Sequence, residues 1–361
     1  MNVFTVRPRR FNVGNETIEV AVRALLREAL DPPLNLVPIP ALASEEEGSL
    51  CGLGPRTVHQ MNLYGQGVVV GGGNLYENGQ LDIDPHAVAA LRPPLLLLSL
   101  SHGRIYDELG RLHPRTDAMP DAVITALNDH ALVSVARDEA TLAHLQRIGI
   151  EDAVLGGCPT LLLDELLPAA PASPGGDGLV LLSVRNPQLM SVPLVDQARV
   201  HGDVRRTIDA LHAEGLGPVQ LLCHDKRDLA FASSFGDVAY VLPDDATAYL
   251  AMLRRARLVV SFRLHAFLPC LSFGTPAINL SYDERSQSLV RTLGLEAWDI
   301  DYLRCADVAG AVLDRARRPE DLRALVAAAR PGWDELAGTT RGAVRTFATA
   351  VRAYADQTRR G

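Results

Sequence analysis

Two chemically strong side chains bracket one leucine in the stretch VVSFRLHAFLPCLSFGTPAINLSYDERS, residues 259–286. Arg263 carries a permanent charge in a planar fork of donors, and His265 carries an imidazole that titrates near neutrality. A buried-type apolar run ends at Ser261 just before them, and an apolar helical pattern follows at once. A cation at the end of such a strand, beside the N–H-rich start of a helix, suits an anion. The imidazole two positions on can then move a proton at whatever the anion carries.

Similar residues recur where other apolar runs stop. After NVFTV (2–6) come Arg7, Arg9, Arg10 and then Asn12, Gly14, Asn15 and Glu16. After GVVVG (67–71) come Gly72, Gly73 and Asn74, and after LLLLSL (95–100) comes His102. After ALVSV (131–135) come Arg137 and Asp138, the latter placed to cap a helix carrying Leu142, Leu145 and Ile148. In the second half, Arg185 follows LVLLSV (179–184), His224 follows VQLLC (219–223), and PAINL (276–280) leads to Tyr282 and Asp283. The glycine triplet matches neither common nucleotide-binding glycine pattern, and a tight turn accounts for it equally well.

The elements that must position these residues alternate. Short β-type runs are followed by amphipathic helices, the first from about Glu16 with Ile18, Val22, Leu25, Leu26 and Ala29 on one face. The Pro/Gly-rich segment PAAPASPGGDG (168–178) divides the alternation in two. The pattern predicts an α/β protein of two Rossmann-like domains with mainly parallel sheets facing a cleft. The expected boundaries are 1–168, a linker at 169–178, 179–330, and a C-terminal helix over 331–361 that packs back on the first domain.

Composition narrows the function. The 361 residues suffice for two ordinary cores, and a net charge of −8 argues against nucleic acid as the main partner. Five scattered cysteines (Cys51, Cys158, Cys223, Cys270 and Cys305) without a C-x-x-C pair point to buried thiols, not a disulfide or zinc scaffold. No metal site is expected, and Asp299-x-Asp301 is assigned to a surface turn. No apolar run reaches the roughly 18 residues of a transmembrane helix, and MNVFTVRPRR has its basic residues in the wrong order for a secretion signal, so a cytoplasmic location is expected. Oligomeric state is not readable.

The segment S-F-R-L-H-A followed by F-G-T-P-A-I-N-L-S-Y-D resembles the signature of the polysaccharide pyruvyl transferase family. FNVGNETI, VVVGGGNLY, SVARDEATLAHLQRIGI and LLSVRN resemble further family segments, in the family's order from about residue 12 to 294. The resemblance implies a glycosyltransferase-B-like pair of domains. It also implies transfer of a pyruvyl group from phosphoenolpyruvate to two sugar hydroxyls, forming a cyclic ketal with release of phosphate. On that basis Arg263, Leu264, His265, Arg185, Arg137 and His224 are the candidates for holding phosphoenolpyruvate, with His265 as general acid. Asn12, Asn15, Gly72, Gly73, Asn74 and His102 are the candidates for a carbohydrate or sugar-containing acceptor. The chain departs from the family's opening motif at Asn15, where an acidic residue is common, so either Glu16 is the candidate to activate the hydroxyl or the acceptor is a different one. Phosphoenolpyruvate is then a co-substrate and no cofactor is implied. Two alternatives stay open: a glycosyltransferase using a nucleotide sugar, and a non-catalytic protein that binds an anion or glycan.

Overall fold

Strands that run apolar without alternation belong in parallel sheets covered on both faces. The computed structural model describes residues 1–8, 12–43, 50–77, 79–167 and 178–360; Arg9, Arg10 and nearly all of the expected linker lie outside them. The first half runs β1 (Asn2–Arg7), α1 (Val13–Ala29), β2 (Asn35–Pro40), α2 (Pro55–Tyr64), β3 (Gly67–Gly73), α3 (Pro85–Ala89) and β4 (Leu95–Leu100). It continues with β5 (Ile105–Tyr106), β6 (Leu112–His113), α4 (Asp121–His130), β7 (Val133–Ala136), α5 (Glu139–Arg147), β8 (Val154–Leu155) and α6 (Leu163–Leu166). Six strands form a parallel sheet in the order β2-β1-β3-β4-β7-β8, and β5 pairs β6 separately.

The second half runs β9 (Val180–Ser183), α7 (Leu194–Ala213), β10 (Val219–Leu222), α8 (Leu229–Ser233), β11 (Tyr240–Val241), α9 (Ala246–Arg255) and β12 (Leu258–Ser261). Then come α10 (Leu264–Phe273), β13 (Ala277–Ser281), α11 (Glu284–Thr292), β14 (Ile300–Asp301), α12 (Val308–Ala316) and α13 (Pro319–Arg360). Its parallel sheet has the order β11-β10-β9-β12-β13-β14. Strand order reverses beside β1 in one sheet and beside β9 in the other, and ligands of such sheets sit beyond the strand C-termini at that reversal.

Register does the fine positioning in the second sheet. Leu222 and Ser261 both pair with Ser183, and Ser261 pairs with Asn279, so these four form one row. Two residues beyond the first three lie Arg185, His224 and Arg263, and positions two apart along an extended chain share a face. The parallel register therefore gathers three residues that are far apart in sequence.

Helix α1 serves both domains. Ile18, Val22, Leu25 and Leu26 join Val3, Val69, Leu96 and Leu98 in the first core, while Val13 and Ala21 join the second. Helix α13 does the same on a larger scale. It starts at Pro319, not at the expected 331, because Pro331 lies inside the helix where it reads as a first-turn proline. Its Leu322, Trp333 and Leu336 belong to the second core, and its Val344, Phe347 and Val351 to the first. Asp299 also departs from expectation. Just before β14 it accepts hydrogen bonds from Asn279 Nδ2 at 2.7 Å and from Ser281 Oγ, and burial raises its pKa to about 6.

Candidate active site

The facing strand ends enclose a cavity of about 320 Å³. Arg185, His224, Arg263, Leu264, His265 and Tyr282 line it from the second domain, and Asn12, Asn15, Gly73, Asn74 and Arg137 from the first. Arg263 is the N-cap residue of α10. Ser261 Oγ fixes its backbone, accepting the Arg263 N–H at 2.9 Å and donating to the Arg263 carbonyl at 2.8 Å. No side chain caps the first turn of α10, so its positive end is available where Leu264 and His265 meet the cavity. Leu264 lines the cavity and packs against the second core with its remaining surface.

One pair of carboxylates backs both second-domain arginines. Arg185 Nη1 lies 3.3 Å from Asp225 and 3.6 Å from Asp228; Arg263 Nη2 lies 3.7 and 3.8 Å from the same groups. Burial, then the neighbouring Arg263, lowers the Arg185 pKa to about 10, which leaves it charged at neutral pH. Across the cavity Arg137 Nε contacts Asp138 at 3.3 Å. Asp138 is the expected cap of α5, accepting the Thr141 N–H at 3.0 Å. The Arg263, Arg185 and Arg137 side chains are only 11%, 13% and 4% exposed. Even so, Arg263 Nη2, Arg185 Nε, Arg137 Nη2 and His265 Nε2 are all buried without a hydrogen-bond partner. Leaving such groups unpaired costs free energy, which a bound anion would recover.

His265 is neutral in this arrangement. Burial first, then Arg137, Arg263 and Arg285, pushes its pKa down to about 3. Its carbonyl accepts the Tyr249 hydroxyl at 2.8 Å, and the same hydroxyl lies 3.1 Å from His224 Nε2. His224 Nε2 also meets Ser183 Oγ at 2.8 Å, and burial holds this imidazole well below its ordinary pKa. With Nε2 engaged, His224 supports the backbone of His265 through Tyr249. Its own carbonyl accepts the Val13 N–H at 3.0 Å and ties α1 to the second domain.

Three candidates fall outside the cavity lining. Glu16 is held by Arg7 Nη1 at 2.9 Å, which engages the carboxylate assigned to the acceptor. Gly72 has φ +81, and a Cβ there would collide with Ile18, so its absence lets α1 pack on β3. His102 stacks on His144 with ring centroids 3.7 Å apart, and burial with the His144 charge lowers its pKa to about 4. Asn12 lines the cavity but also caps α1, its Oδ1 accepting the Gly14 N–H at 3.0 Å.

Arg285, Arg115 and Arg227 line the cavity without having been singled out. A usable signal existed for Arg285. Asp283 caps α11, so Arg285 occupies the second helical position there, as His265 does in α10 after Arg263. Among the described residues no group of three or more His, Cys, Asp or Glu side chains is placed to hold a metal ion. No helix among them is long and apolar enough to cross a membrane.

Two parallel α/β domains with their strand reversals facing one cavity define a glycosyltransferase-B-like protein. Solved structures of this architecture align along nearly the whole chain. The S. aureus MnaA–UDP co-structure is 14% identical, with a TM-score of 0.56 over 97% of this chain and 94% of that one. UDP-GlcNAc 2-epimerase from Neisseria meningitidis bound to UDP-GlcNAc is 10% identical, with a TM-score of 0.53 over 100% of both. The wall teichoic acid polymerase TagF is 8% identical, with a TM-score of 0.51 over 98% of this chain and 89% of that one. No curated protein matches the chain in sequence. The polysaccharide pyruvyl transferase family matches residues 12–284, and the chain belongs to that family of transferases.

Proposed function

We propose that the protein transfers a pyruvyl group from phosphoenolpyruvate to two hydroxyls of a sugar-containing acceptor, forming a ketal and releasing phosphate. The observation that carries this reading is the set of four orphaned, buried nitrogens, three from arginines and one from His265, at a single cavity. Phosphoenolpyruvate presents a phosphate and a carboxylate on three carbons, and guanidinium forks match both groups.

In this scheme the bound anion offsets the arginine charges that depress His265, so its pKa rises and Nε2 takes up a proton. That proton passes to the donor's methylene carbon, leaving positive charge at C2. One acceptor hydroxyl bonds to C2, the C2–O bond to phosphate then breaks with its electron pair on phosphate, and a second hydroxyl closes the ketal. Of the two hydroxyl protons released, one restores His265 and the other leaves with phosphate. The scheme draws on no metal or organic cofactor.

Incubation with phosphoenolpyruvate and a panel of sugars, glycans and sugar phosphates should release phosphate in step with a gain of acceptor mass. Titration calorimetry provides the second arm. Binding of a nucleoside diphosphate with indifference to phosphoenolpyruvate would replace this reading with a nucleotide-sugar enzyme. Donor binding without turnover on any acceptor would make the protein a binder.

A further inference from the structure

Arg285 sits in a socket that the other domain builds for it. Its Nε donates to Asp283 Oδ2 at 3.0 Å, with Nη2 on the same oxygen, and its Nη1 lies 3.5 Å from Glu77 Oε1 of the first domain. Glu77 is almost wholly buried and takes a second contact from Ser101 Oγ at 3.4 Å. Gly103 completes the socket: a Cβ there would collide with Cγ of Arg285, so only glycine leaves room for the stem. Next to it, the Arg104 backbone N–H donates to Glu284 at 2.8 Å and its Nε to the same carboxylate at 3.0 Å, which fixes the first turn of α11. The segment after β4, whose His102 was a candidate for the acceptor, is thus spent on seating one arginine from the other domain.

The cavity therefore holds two groups of guanidinium around His265. Arg185 and Arg263 stand at one end, backed by Asp225 and Asp228, with Arg227 beside them. Arg137 and Arg285 form the other group: Arg137 contacts Asp138, and Asp138 also accepts a hydrogen bond at 3.0 Å from Ser288 Oγ of α11, the helix whose first turn carries Arg285. The ends differ in charge. Three arginines face two aspartates at the first, where the uncapped start of α10 adds further positive potential. At the second, Arg137, Arg285 and Arg115 face Asp138, Asp283, Asp117 and the buried Glu77.

We infer that Arg285, together with Arg137, receives the carboxylate of the three-carbon donor, that Arg185, Arg263 and the start of α10 receive its phosphate, and that Glu77 positions Arg285. The more highly charged group goes to the more positive end, and the reacting carbons lie between, beside His265. This assignment rests on the donor reading above and deepens it by fixing which way the donor lies.

Titration calorimetry with phosphoenolpyruvate and with inorganic phosphate, on the full chain, tests the assignment. Arg285→Gln is expected to weaken phosphoenolpyruvate at least about tenfold, the scale of a lost charge-assisted pair, and inorganic phosphate less than about twofold. Arg185→Gln should weaken both. Glu77→Gln, which keeps the shape and the Ser101 contact, should lower the ratio of the two affinities without changing that for phosphate. Should Arg285→Gln fail to fold, Arg285→Lys keeps a cation in the socket and loses the fork, and the same ratio should fall. Equal weakening of both ligands by the Arg285 variants, or none, overturns the assignment while leaving the donor reading intact. An unchanged ratio in Glu77→Gln removes its positioning role. If the wild-type protein binds inorganic phosphate as well as phosphoenolpyruvate, the donor reading falls and the assignment with it.

Discussion

The two domains share one architecture and line their common cavity with different chemistry. The second domain ends its strands in the fixed charges of Arg185 and Arg263, with the neutral imidazole of His265 beside them. The first contributes mainly neutral hydrogen-bonding groups, with Asn12, Asn15, Asn74, Gln80 and the backbone at Gly73, plus Arg115 and Arg137. Fixed charge suits a small polyanion, whereas amides that both donate and accept suit sugar hydroxyls. A shared strand geometry thus supports unlike walls, because the sheet decides only where a residue stands.

The sharpest way to break this contrast is to remove the charged wall. His265→Ala or Arg263→Ala should cut turnover by about 10³-fold, within the range for a lost general acid or charge clamp, in steady-state assays on protein with unchanged melting. Near wild-type turnover would void the roles given to both residues.

Acid should act on the two walls differently once donor is present. His265 and His102 have pKa values of about 3 and about 4 in the fold, against 6.5 for an ordinary histidine, and His224 is also held well below 6.5. Above 6.5 both folded and unfolded forms are neutral and nothing is lost. As pH falls through that value, the unfolded chain takes up protons that the fold refuses, so stability drops by up to about 1.4 kcal/mol per pH unit for each such histidine. Phosphoenolpyruvate, by raising the pKa of His265, should relieve its share and leave that of His102. Thermal melts from pH 7 to 5 with and without donor would show this as a shallower acid slope in its presence.

Gly14 is a point of close approach between the two domains. A Cβ there would lie 3.0 Å from Cβ of His265 and 3.1 Å from Nδ1 of His224. Gly14→Ala should therefore wedge α1 away from the second domain, costing about 1–3 kcal/mol as overpacking does, with a matching loss of turnover. A variant with both stability and rate intact would show that the walls are not held this tightly.

The smallest effects separate true lining from neighbours of it. Asn74→Ala should raise the acceptor KM by about fivefold, the scale of a lost hydrogen bond, with donor affinity unchanged. Glu16→Gln should leave the rate within about twofold, the scale of a weakened hydrogen bond, because its carboxylate is engaged by Arg7 outside the cavity lining. A large drop in rate with Glu16→Gln would return that carboxylate to the acceptor chemistry.

What could be read in the sequence follows from how local each feature is. The central strands announce themselves as unbroken apolar runs, since both faces are covered. Strand β2, NLVPIP, did not, because its two prolines read as breaks; as an edge strand pairing only with β1 it tolerates the missing N–H groups. Strands β8, β11 and β14 are two residues long and carry no periodicity. Arg263 and His265 were legible because strand end, cation and helix start are contiguous. Arg285 was legible only by its position, second in its helix as His265 is in α10; its partners Glu77 and Gly103 belong to the other half of the chain. Glu16 shows the opposite: its nearby partner Arg7 engages it outside the cavity lining, and the sequence does not display that pairing.

Helix α13 sets the order in which the molecule can be completed during synthesis. Val344, Phe347 and Val351 fill the same core as Val3, Val69 and Leu96, so one face of the first sheet is covered only in part, by α1, after its own strands are made. The distance from Leu155 to Val351 amounts to about 10–40 s of translation at typical elongation rates. Over that interval the second domain acquires Leu322, Trp333 and Leu336 before the first receives Phe347. The domain made first is finished last, and the apolar face it shows in the meantime is open to aggregation until α13 docks.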